Sequence, residues 1–461
     1  MGAVKKKLLI ALFLSLLSFN KISYAKSDLV QVILNGKKII SEVSPQIINN
    51  RTFLPIRNIA EQLGAKINWD SKKNSVTINY ENNKIVFYIN QNTATVNENP
   101  ITLDIAPFIL EGRTMVPLRF IGTNFDMNVE WIENLKTATI TEKNFFDNLP
   151  KDIIMGFTVS YYNGDNLSYN SVKNNKALNM ISVFNYNFTI DGKIQLVDQN
   201  QQNTIDYAKC NNIVPLAVIH NISNGNFNQE LLHNVLVNPQ KRSTLINNIL
   251  MMLTEEGFLG VNIDFENIQR TDKDLYSEFI QELKDTLTKY GYITTISVPA
   301  KTSSSYTSSW NYAFDYEKLG SIVDYFIIMA YDEHYVSSNA GPIASINWVK
   351  NILDYSTKLV PSEKIILGLA LYGYDWSNNK GQAIASKNVY NIASKNNASI
   401  EWDNLSKTPH FSYVKDGVYH ELWYENEQSL KLKINLSSNY NLGGIGFWRL
   451  GLEEKEFLNN L

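Results

Sequence analysis

The sequence predicts an α/β protein: a (β/α)8 TIM barrel with a small α+β insertion between strands 7 and 8, preceded by a smaller α+β repeat domain. Two observations lead to this prediction. After residue 145, eight short apolar runs alternate with helical stretches, as in β/α units. Before residue 145, one stretch of sequence recurs at a spacing of 62 residues. We therefore divide the chain into residues 1–25, 26–145 and 146–461.

Residues 1–25 have the features of a secretory signal peptide. Three lysines precede an apolar run from Leu8 to Phe19, and a small-x-small cleavage pattern ends at Ala25. The apolar run is shorter than the ~20 residues that span a bilayer. We expect a cleaved signal peptide and a secreted protein, with an uncleaved N-terminal anchor as the alternative.

The composition is that of a folded protein and excludes several classes of site. Of 461 residues, 44% are hydrophobic and 19% charged. The only cysteine, Cys210, cannot form an internal disulfide, and the five histidines show no zinc-ligand spacing. We expect no metal and no cofactor. The net charge of −3 becomes −7 without the signal peptide, so we expect no nucleic-acid partner.

The repeat occupies most of residues 26–145, and its two copies start at Pro45 and Pro107. Each copy predicts a short helix after a Pro-Ile/Leu-Arg segment, then a strand containing Trp69 or Trp131, and then an alternating strand. Each is thus a small α+β unit, and two copies together bury more surface than one alone. The paired arginines and tryptophans are interpreted as core and turn positions, with a ligand groove as the alternative.

This repeat resembles the copper amine oxidase N-terminal-like domain, a stalk module of secreted proteins of Gram-positive bacteria. The resemblance covers residues 31–142 and implies no copper chemistry. It implies a spacer, an oligomerisation surface or attachment to the cell wall.

The eight apolar runs predict the barrel strands, and the active site is then expected at their C-terminal ends. The interval between the seventh and eighth runs is long and contains strand-like pieces at 411–414 and 421–424, which predicts the insertion. The eight runs are 153–160, 180–187, 213–220, 260–266, 293–300, 325–332, 365–372 and 444–450.

The fourth run, GVNIDFEN, holds the candidate catalytic pair Asp264 and Glu266. Side chains two residues apart on a strand point to the same face, here the barrel mouth. Repulsion between two close carboxylates raises one pKa, which prepares Glu266 to hold a proton as a general acid. A solvated or salt-bridged acidic pair is the alternative.

Two other strand ends supply groups suited to a sugar site. The sixth run ends in MAYDEH, with Tyr331 and Asp332 at its edge, and the eighth ends in GFWRLG, with Trp448. An acid, a polar clamp and an aromatic floor are typical of a cleft that binds and cleaves sugars.

The motifs that contain these residues resemble those of glycoside hydrolase family 18. The resemblance covers nearly all of residues 150–461. The resemblance implies substrate-assisted retaining catalysis, in which the 2-acetamido oxygen of the sugar attacks its own anomeric carbon. It implies that Glu266 protonates the leaving oxygen and then activates water. Asp264 would hold the acetamido N–H and Tyr331 its oxygen, while Asp332 would contact the distorted sugar and Trp448 form its floor.

The family signature D-x-x-D-x-D-x-E is altered at two positions. Leu259 replaces its first Asp and Asn262 its second, which shares a proton with the third. We expect the Asn262 amide to donate permanently to Asp264, so that catalysis is retained with a different pH dependence. The third run, PLAVIHN, also lacks the Ser-x-Gly-Gly of chitinases. Together with other segments, these features resemble spore-cortex-lytic N-acetylglucosaminidases.

The histidines and the other tryptophans of the barrel are less specific indicators of a functional site. His220 and His334 are interpreted as hydrogen-bonded structure rather than as ligands or bases. Among three further tryptophans, Trp310, Trp376 and Trp423, we expect Trp376 to be a sugar platform.

The sequence thus predicts a secreted hydrolase that cleaves β-1,4 bonds at N-acetylglucosamine in peptidoglycan of the cell wall or spore cortex of a Gram-positive bacterium. The alternatives are a chitinase or chito-oligosaccharide hydrolase, and a glycan-binding wall protein with weak or no turnover. The stalk domain is expected to attach the protein to the wall.

Overall fold

A computed structural model of the chain describes residues 30–147, 149–161, 164–197, 201–454 and 457–461. The predicted signal peptide, residues 1–25, lies outside the described residues.

Eight parallel strands form a closed barrel, because the first strand pairs with both the second and the eighth. All eight predicted runs contain a strand, although the fourth ends at Asp264 rather than at Glu266. Every residue of that strand is buried, as expected where helices cover the outside of a parallel sheet. The strands are β1 Ile153–Thr158, β2 Met180–Phe188, β3 Val214–His220, β4 Gly260–Asp264, β5 Ile293–Pro299, β6 Tyr325–Met329, β7 Ile365–Ala370 and β8 Gly444–Trp448.

Helices cover the barrel from outside. In Lys273–Lys289, buried Tyr276, Phe279, Ile280 and Leu283 recur every three or four residues, so one stripe of the helix faces the strands. None of the helices in the described part of the chain combines the length and apolar character needed to span a membrane. The helices around the barrel are Leu167–Asn174, Gln202–Cys210, Gln229–Leu236, Pro239–Glu256, Lys273–Lys289, Tyr316–Ile322, Ile346–Ser356 and Glu427–Asn439.

The predicted insertion between β7 and β8 is an antiparallel sheet of five strands with one helix, Ser386–Lys395. The two strand-like pieces found in the sequence lie within the two strands that come last in the chain order of the insertion. This part of the fold prediction is confirmed. In spatial order the strands are Lys380–Ala385, Tyr372–Ser377, Val418–Tyr424, Thr408–Lys415 and Glu401–Asp403.

The N-terminal domain contains more β-structure than predicted, with three sheets and two helices, Ile56–Gln62 and Leu118–Asn124. Each helix begins directly after a proline, as the repeat predicts. One sheet comprises Phe108–Leu110, Arg113–Pro117, Arg51–Pro55 and Gln46–Ile48; another comprises Met127–Ile132, Thr137–Glu142, Gln31–Leu34 and Lys37–Lys38; and the third comprises Lys66–Asp70, Ser75–Tyr80, Asn83–Tyr88, Thr93–Val96 and Asn99–Thr102.

The two repeats meet around a local two-fold axis. Strands Arg51–Pro55 and Arg113–Pro117 pair in antiparallel fashion, and Leu54 lies opposite Val116, its own counterpart 62 residues along the chain. Each repeat therefore presents equivalent positions to the other.

The N-terminal domain contacts the amino-terminal end of the barrel. Gly36 lies so close to Leu259, just before β4, that a Cβ at Gly36 would be 2.8 Å from Leu259 Cδ2. Nearby, Lys289 Nζ lies 3.4 Å from Glu130 Oε2. Leu259, which replaces the first acid of the signature, thus lies at this contact and at the opposite end of β4 from Asp264.

Candidate active site

A cavity of about 740 Å³ opens at the C-terminal end of the barrel strands. It contains Asp264, Glu266, Tyr331, Asp332 and Trp448, so the structure brings five of the predicted site residues together. The other lining residues are Phe157, Tyr161, Phe184, Asn187, Gln195, Val197, His220, Ile222, Ser223, Asn224, Gly225, Phe227, Ser297 and Met329.

The acidic pair follows from the geometry of β4. Asp264 is its last residue and is 5% exposed, and Glu266 lies two residues further on, at the cavity. The side chain of Asn221 holds the main chain of Glu266 through two hydrogen bonds: Glu266 N–H donates to Asn221 Oδ1 over 3.0 Å, and Asn221 Nδ2 donates to Glu266 O over 2.9 Å. This clamp fixes the position of Glu266.

Burial raises the pKa of both acids. The pKa of Asp264 rises to about 7 because the side chain is cut off from water, an effect that a hydrogen bond from Ser297 opposes. The pKa of Glu266 rises well above its ordinary value, first through burial and then through the charges of Asp264 and Asp332. This shift favours the protonated form of Glu266, the form that a general acid requires.

Tyr331 and Asp332 lie beside this pair. Burial raises the pKa of the Tyr331 hydroxyl, and the neighbouring charges of Asp264, Asp332 and Glu266 add to the rise, so this hydroxyl remains a hydrogen-bond donor.

Two tyrosines of the insertion hold Asp332. The hydroxyl of Tyr372 donates to Asp332 Oδ1 over 2.5 Å, and that of Tyr374 donates to the same oxygen over 3.1 Å. Asp332 has a positive φ of 61°, a conformation that an Asp side chain tolerates. The sequence motif LYGYD contains both tyrosines, but only the fold shows what they contact.

Trp448 lies at the base of the cavity. Its ring packs edge-on against Phe157 and Phe184, with ring centroids 5.5 Å and 5.3 Å away. These contacts hold the indole in place, and the ring can support the apolar face of a sugar.

The predicted contact between Asn262 and Asp264 is absent. Asn262 is fully buried below the cavity, and its amide donates to Ser297 Oγ over 2.9 Å. Its carbonyl oxygen accepts from Thr295 Oγ1 over 2.8 Å. Because Ser297 in turn is hydrogen bonded to Asp264, the influence of Asn262 reaches Asp264 through a hydroxyl on the neighbouring strand.

His220, which the sequence analysis interprets as hydrogen-bonded structure, lines the cavity. It is 2% exposed, stacks on Phe184 and lies opposite Asp264 in the pairing of β3 with β4. Its Nδ1 accepts from the N–H of Ile222 over 3.2 Å, so the proton of the neutral ring is on Nε2. Burial lowers the pKa of His220 to about 4. His334 is also hydrogen bonded, through its Nδ1 to Pro342 O.

Trp376 does not reach the cavity. It is 4% exposed, and its Nε1 donates to Tyr335 O over 3.3 Å within a cluster of the insertion. Trp310 is 47% exposed instead, and packs against Phe227 of the cavity wall. Alternation on a strand does not reveal which tryptophan faces outward, and this expectation for Trp376 is therefore corrected by the fold.

The side chains of the cavity are suited to acid chemistry. Within the described ranges, no group of three or more His, Cys, Asp or Glu side chains is placed to hold a metal ion. The cavity offers one carboxyl group with a raised pKa, a second carboxyl group whose buried Oδ1 has no described partner, and a tyrosine hydroxyl.

Comparisons with known proteins agree with this geometry. The cortical fragment-lytic enzyme of Bacillus anthracis is 32% identical over 285 residues, which cover 60% of this chain and 66% of that enzyme. The structure of the spore cortex-lytic enzyme SleL of Bacillus cereus matches with 29% identity and a TM-score of 0.63, over 67% of this chain and 74% of that one. A chitinase from Chromobacterium violaceum also matches with 29% identity and a TM-score of 0.63, over 67% of this chain and 97% of that one.

Two family models match the chain. The model of the copper amine oxidase N-terminal domain matches residues 33–140. The model of glycosyl hydrolases family 18 matches residues 154–453, from the first barrel strand to beyond the eighth. Because this second match covers more than half of the chain and includes the acidic pair, the protein belongs to glycosyl hydrolases family 18 and is a glycosidase.

Proposed function

We propose that this glycosidase is a secreted enzyme that cleaves β-1,4 bonds at N-acetylglucosamine in peptidoglycan. The observation that carries the proposal is the pair at the end of β4, where Glu266, whose pKa burial raises, lies beside Asp264 in a cavity with an aromatic base. This is the arrangement that substrate-assisted cleavage of an N-acetylated sugar requires.

In the proposed reaction, Glu266 protonates the glycosidic oxygen while the acetamido oxygen of the same sugar attacks the anomeric carbon. The C–O bond to the leaving sugar breaks, and an oxazolinium intermediate forms. Asp264 accepts a hydrogen bond from the acetamido N–H through its unpartnered Oδ1, and Tyr331 donates to the acetamido oxygen. Glu266, now ionised, takes a proton from a water molecule that attacks the anomeric carbon. The bond from that carbon to the acetamido oxygen breaks, which opens the oxazolinium ring.

Asp332 and Trp448 position the sugar in this proposal. Asp332 accepts from a hydroxyl of the distorted sugar, and Tyr372 and Tyr374 keep its carboxylate pointed to the cavity. Trp448 supports the apolar face of the ring. Their task is to hold the anomeric carbon near Glu266.

Similarity to cortical fragment-lytic and spore cortex-lytic enzymes supports peptidoglycan as the substrate, in the vegetative wall or the spore cortex. We propose accordingly that the protein acts in the wall or spore envelope and that the N-terminal domain attaches it there. The similarity to a chitinase keeps chito-oligosaccharide hydrolysis as the second candidate. The third strand lacks the Ser-x-Gly-Gly of chitinases, and the short hairpin that follows it, Ile222–Ser223 with Asn226–Phe227, lines the cavity.

Digestion of purified peptidoglycan tests the proposal. Glycan with and without muramic lactam is incubated with the mature protein and with Glu266→Gln, and the released fragments are identified by mass spectrometry. We expect fragments with reducing N-acetylglucosamine ends from the wild type and none from Glu266→Gln. Intact peptidoglycan together with cleaved chitin oligomers would favour the chitinase, and intact glycan of both kinds from folded protein would contradict hydrolysis.

A further inference from the structure

The N-terminal domain carries a surface groove of about 380 Å³ around an exposed tryptophan, within the size range of small-ligand pockets. We call it the Trp69 groove. Its walls come from both repeats: Trp69 and Arg57 from the first, and the hairpin around Arg113 from the second. The groove therefore exists only because the two repeats pack together.

A second groove, also of about 380 Å³, is the counterpart of the first about the local two-fold axis. We call it the Trp131 groove, and it combines Trp131 and Arg119 with the hairpin around Arg51. All ten residues that line the Trp69 groove have their counterparts, 62 residues away, in the lining of the Trp131 groove.

The residues that the two repeats share are concentrated in these grooves. Residues 45–78 and 107–140 are identical at ten paired positions, and six of these pairs line the grooves. Core packing does not explain this, because only two of the ten pairs are fully buried hydrophobic residues, Ile59 with Ile121 and Ile78 with Ile140. The six groove pairs are Ile47/Ile109, Arg51/Arg113, Thr52/Thr114, Pro55/Pro117, Arg57/Arg119 and Trp69/Trp131.

Three side chains at the Trp69 groove are exposed to solvent. Trp69 is 46% exposed and Ile109 is 49% exposed, and the exposed Arg57 has no hydrogen-bond or ion-pair partner among the described residues. Arg113 is paired with Glu42 at the rim. The groove thus leaves an indole face and one guanidinium group free to meet a ligand.

The two grooves differ in charge. The Trp131 groove is lined by two acids, Glu130 and Glu133, and Trp131 donates its Nε1–H to Glu133 over 2.6 Å. The corresponding positions around Trp69 hold Asn68 and Ser71. Only the Trp69 groove therefore has cationic lining without an acid in its wall, which favours an anionic ligand.

We propose that the Trp69 groove binds an acidic glycan, with the indole of Trp69 stacked on a sugar ring and the guanidinium of Arg57 paired with a carboxylate next to that ring. An indole face needs a flat, partly apolar partner, which a sugar ring provides and a polyol-phosphate chain does not. The planar guanidinium matches a carboxylate through two parallel hydrogen bonds. Muramic acid freed of its peptide has this chemistry. The proposal rests on the proposed location in the wall but not on hydrolysis.

The test uses the full mature chain in a Glu266→Gln background, which keeps the glycan intact. The probe is a set of glycan strands from amidase-treated peptidoglycan, whose muramic acids carry free carboxylates, and binding is measured by calorimetry. Among the described residues that line the catalytic cavity, the charged ones are acids, so binding there is expected to be weak for this probe. We expect Trp69→Ala and Arg57→Ala each to weaken binding at least tenfold, and Arg57→Lys to weaken it less.

Matched variants and ligands make the result decisive. Trp131→Ala and Arg119→Ala, the counterparts in the other groove, should leave binding within twofold of the parent. Strands whose carboxylates have been amidated should not bind. The proposal is overturned if folded Trp69→Ala binds as the parent does, if the amidated strands bind equally well, or if only a polyol-phosphate polymer binds. With Glu266 restored, Trp69→Ala should cleave short peptidoglycan fragments at the parent rate, so a failure of the proposed hydrolysis would be seen separately.

Discussion

The amide of Asn262 donates a hydrogen bond to Ser297 Oγ over 2.9 Å, and this serine is in turn hydrogen bonded to Asp264. The amide holds the hydroxyl as an acceptor, so the hydroxyl hydrogen is directed to the carboxylate. Asn262 does not titrate. The environment of Asp264 therefore contains a fixed donor in place of a second acid.

Ser297→Ala is expected to shift the pH dependence of hydrolysis. Because the hydrogen bond from Ser297 lowers the pKa of Asp264, its removal raises that pKa, and Asp264 then becomes ionised only at higher pH. We expect the acidic limb of the kcat/KM profile to move upward and kcat to fall about tenfold, the equivalent of one charged hydrogen bond. Ser297→Thr, which keeps a hydroxyl, should restore much of both; an unchanged profile in Ser297→Ala would refute the relay.

Glu266→Gln should abolish most activity and yet stabilise the fold at alkaline pH. The loss of a general acid lowers kcat by about 10²–10⁴-fold. The raised pKa means that the folded protein binds this proton more tightly than the unfolded chain does. The cost of ionising Glu266 to the free energy of folding is therefore absent at low pH, and it grows as the pH rises through the folded-state pKa.

Thermal unfolding at pH 5 and pH 8 measures this second effect. We expect the unfolding temperature of Glu266→Gln to exceed that of the wild type by more at pH 8 than at pH 5. The matched control is Glu317→Gln, a change on an exposed helix position. Equal differences at both pH values would show that the charge of Glu266 carries no folding cost.

Tyr372→Phe should weaken catalysis through Asp332. It removes the shorter of the two hydrogen bonds to Asp332 Oδ1, and those bonds lower the pKa of a carboxyl group that burial raises. A charged hydrogen bond is worth about 1.5–3 kcal/mol, so kcat/KM is expected to fall by roughly 10–100-fold. Tyr374→Phe removes the 3.1 Å bond and should have the smaller effect. The reverse order in steady-state kinetics would argue against the assigned roles.

His220→Gln should reduce the loss of folding stability as the pH falls. Burial lowers the pKa of His220 to about 4, so between pH 6.5 and 4 the unfolded chain binds a proton that the folded protein does not. The stability of the wild type is then expected to fall by up to about 3 kcal/mol as the pH drops through this window. Urea unfolding at pH 7 and pH 4.5 compares the two proteins, and an identical pH dependence would exclude His220 as the source.

The sequence predicted the parts of this molecule that depend on local pattern. Eight buried parallel strands appear as continuous apolar runs, and the repeat predicts two similar units, each with a helix that starts after Pro55 or Pro117. The spacing of Asp264 and Glu266 was enough to place both acids at the cavity, because side chains alternate along a strand.

The remaining features depend on contacts between distant segments. Ser297 lies 33 residues beyond Asp264, and only the pairing of β4 with β5 brings the two together. Tyr372 and Tyr374 reach Asp332 because the insertion begins directly after β7. Trp376 was wrongly expected at the cavity, since sequence alone does not show that its indole packs inward. Local pattern thus fixes which residues share a strand end, but not which neighbour each side chain contacts.

The position of the N-terminal domain has a mechanical consequence. This domain contacts the barrel beside Leu259 and Lys289, at the amino-terminal end of the strands, while the cavity opens at the opposite end. If the protein is anchored through its N-terminal domain, as proposed, its cavity would therefore face away from the polymer to which it is attached. The distance from the attachment point to the cavity would be set by the height of the barrel, so the proposed enzyme would cleave strands next to the one that holds it.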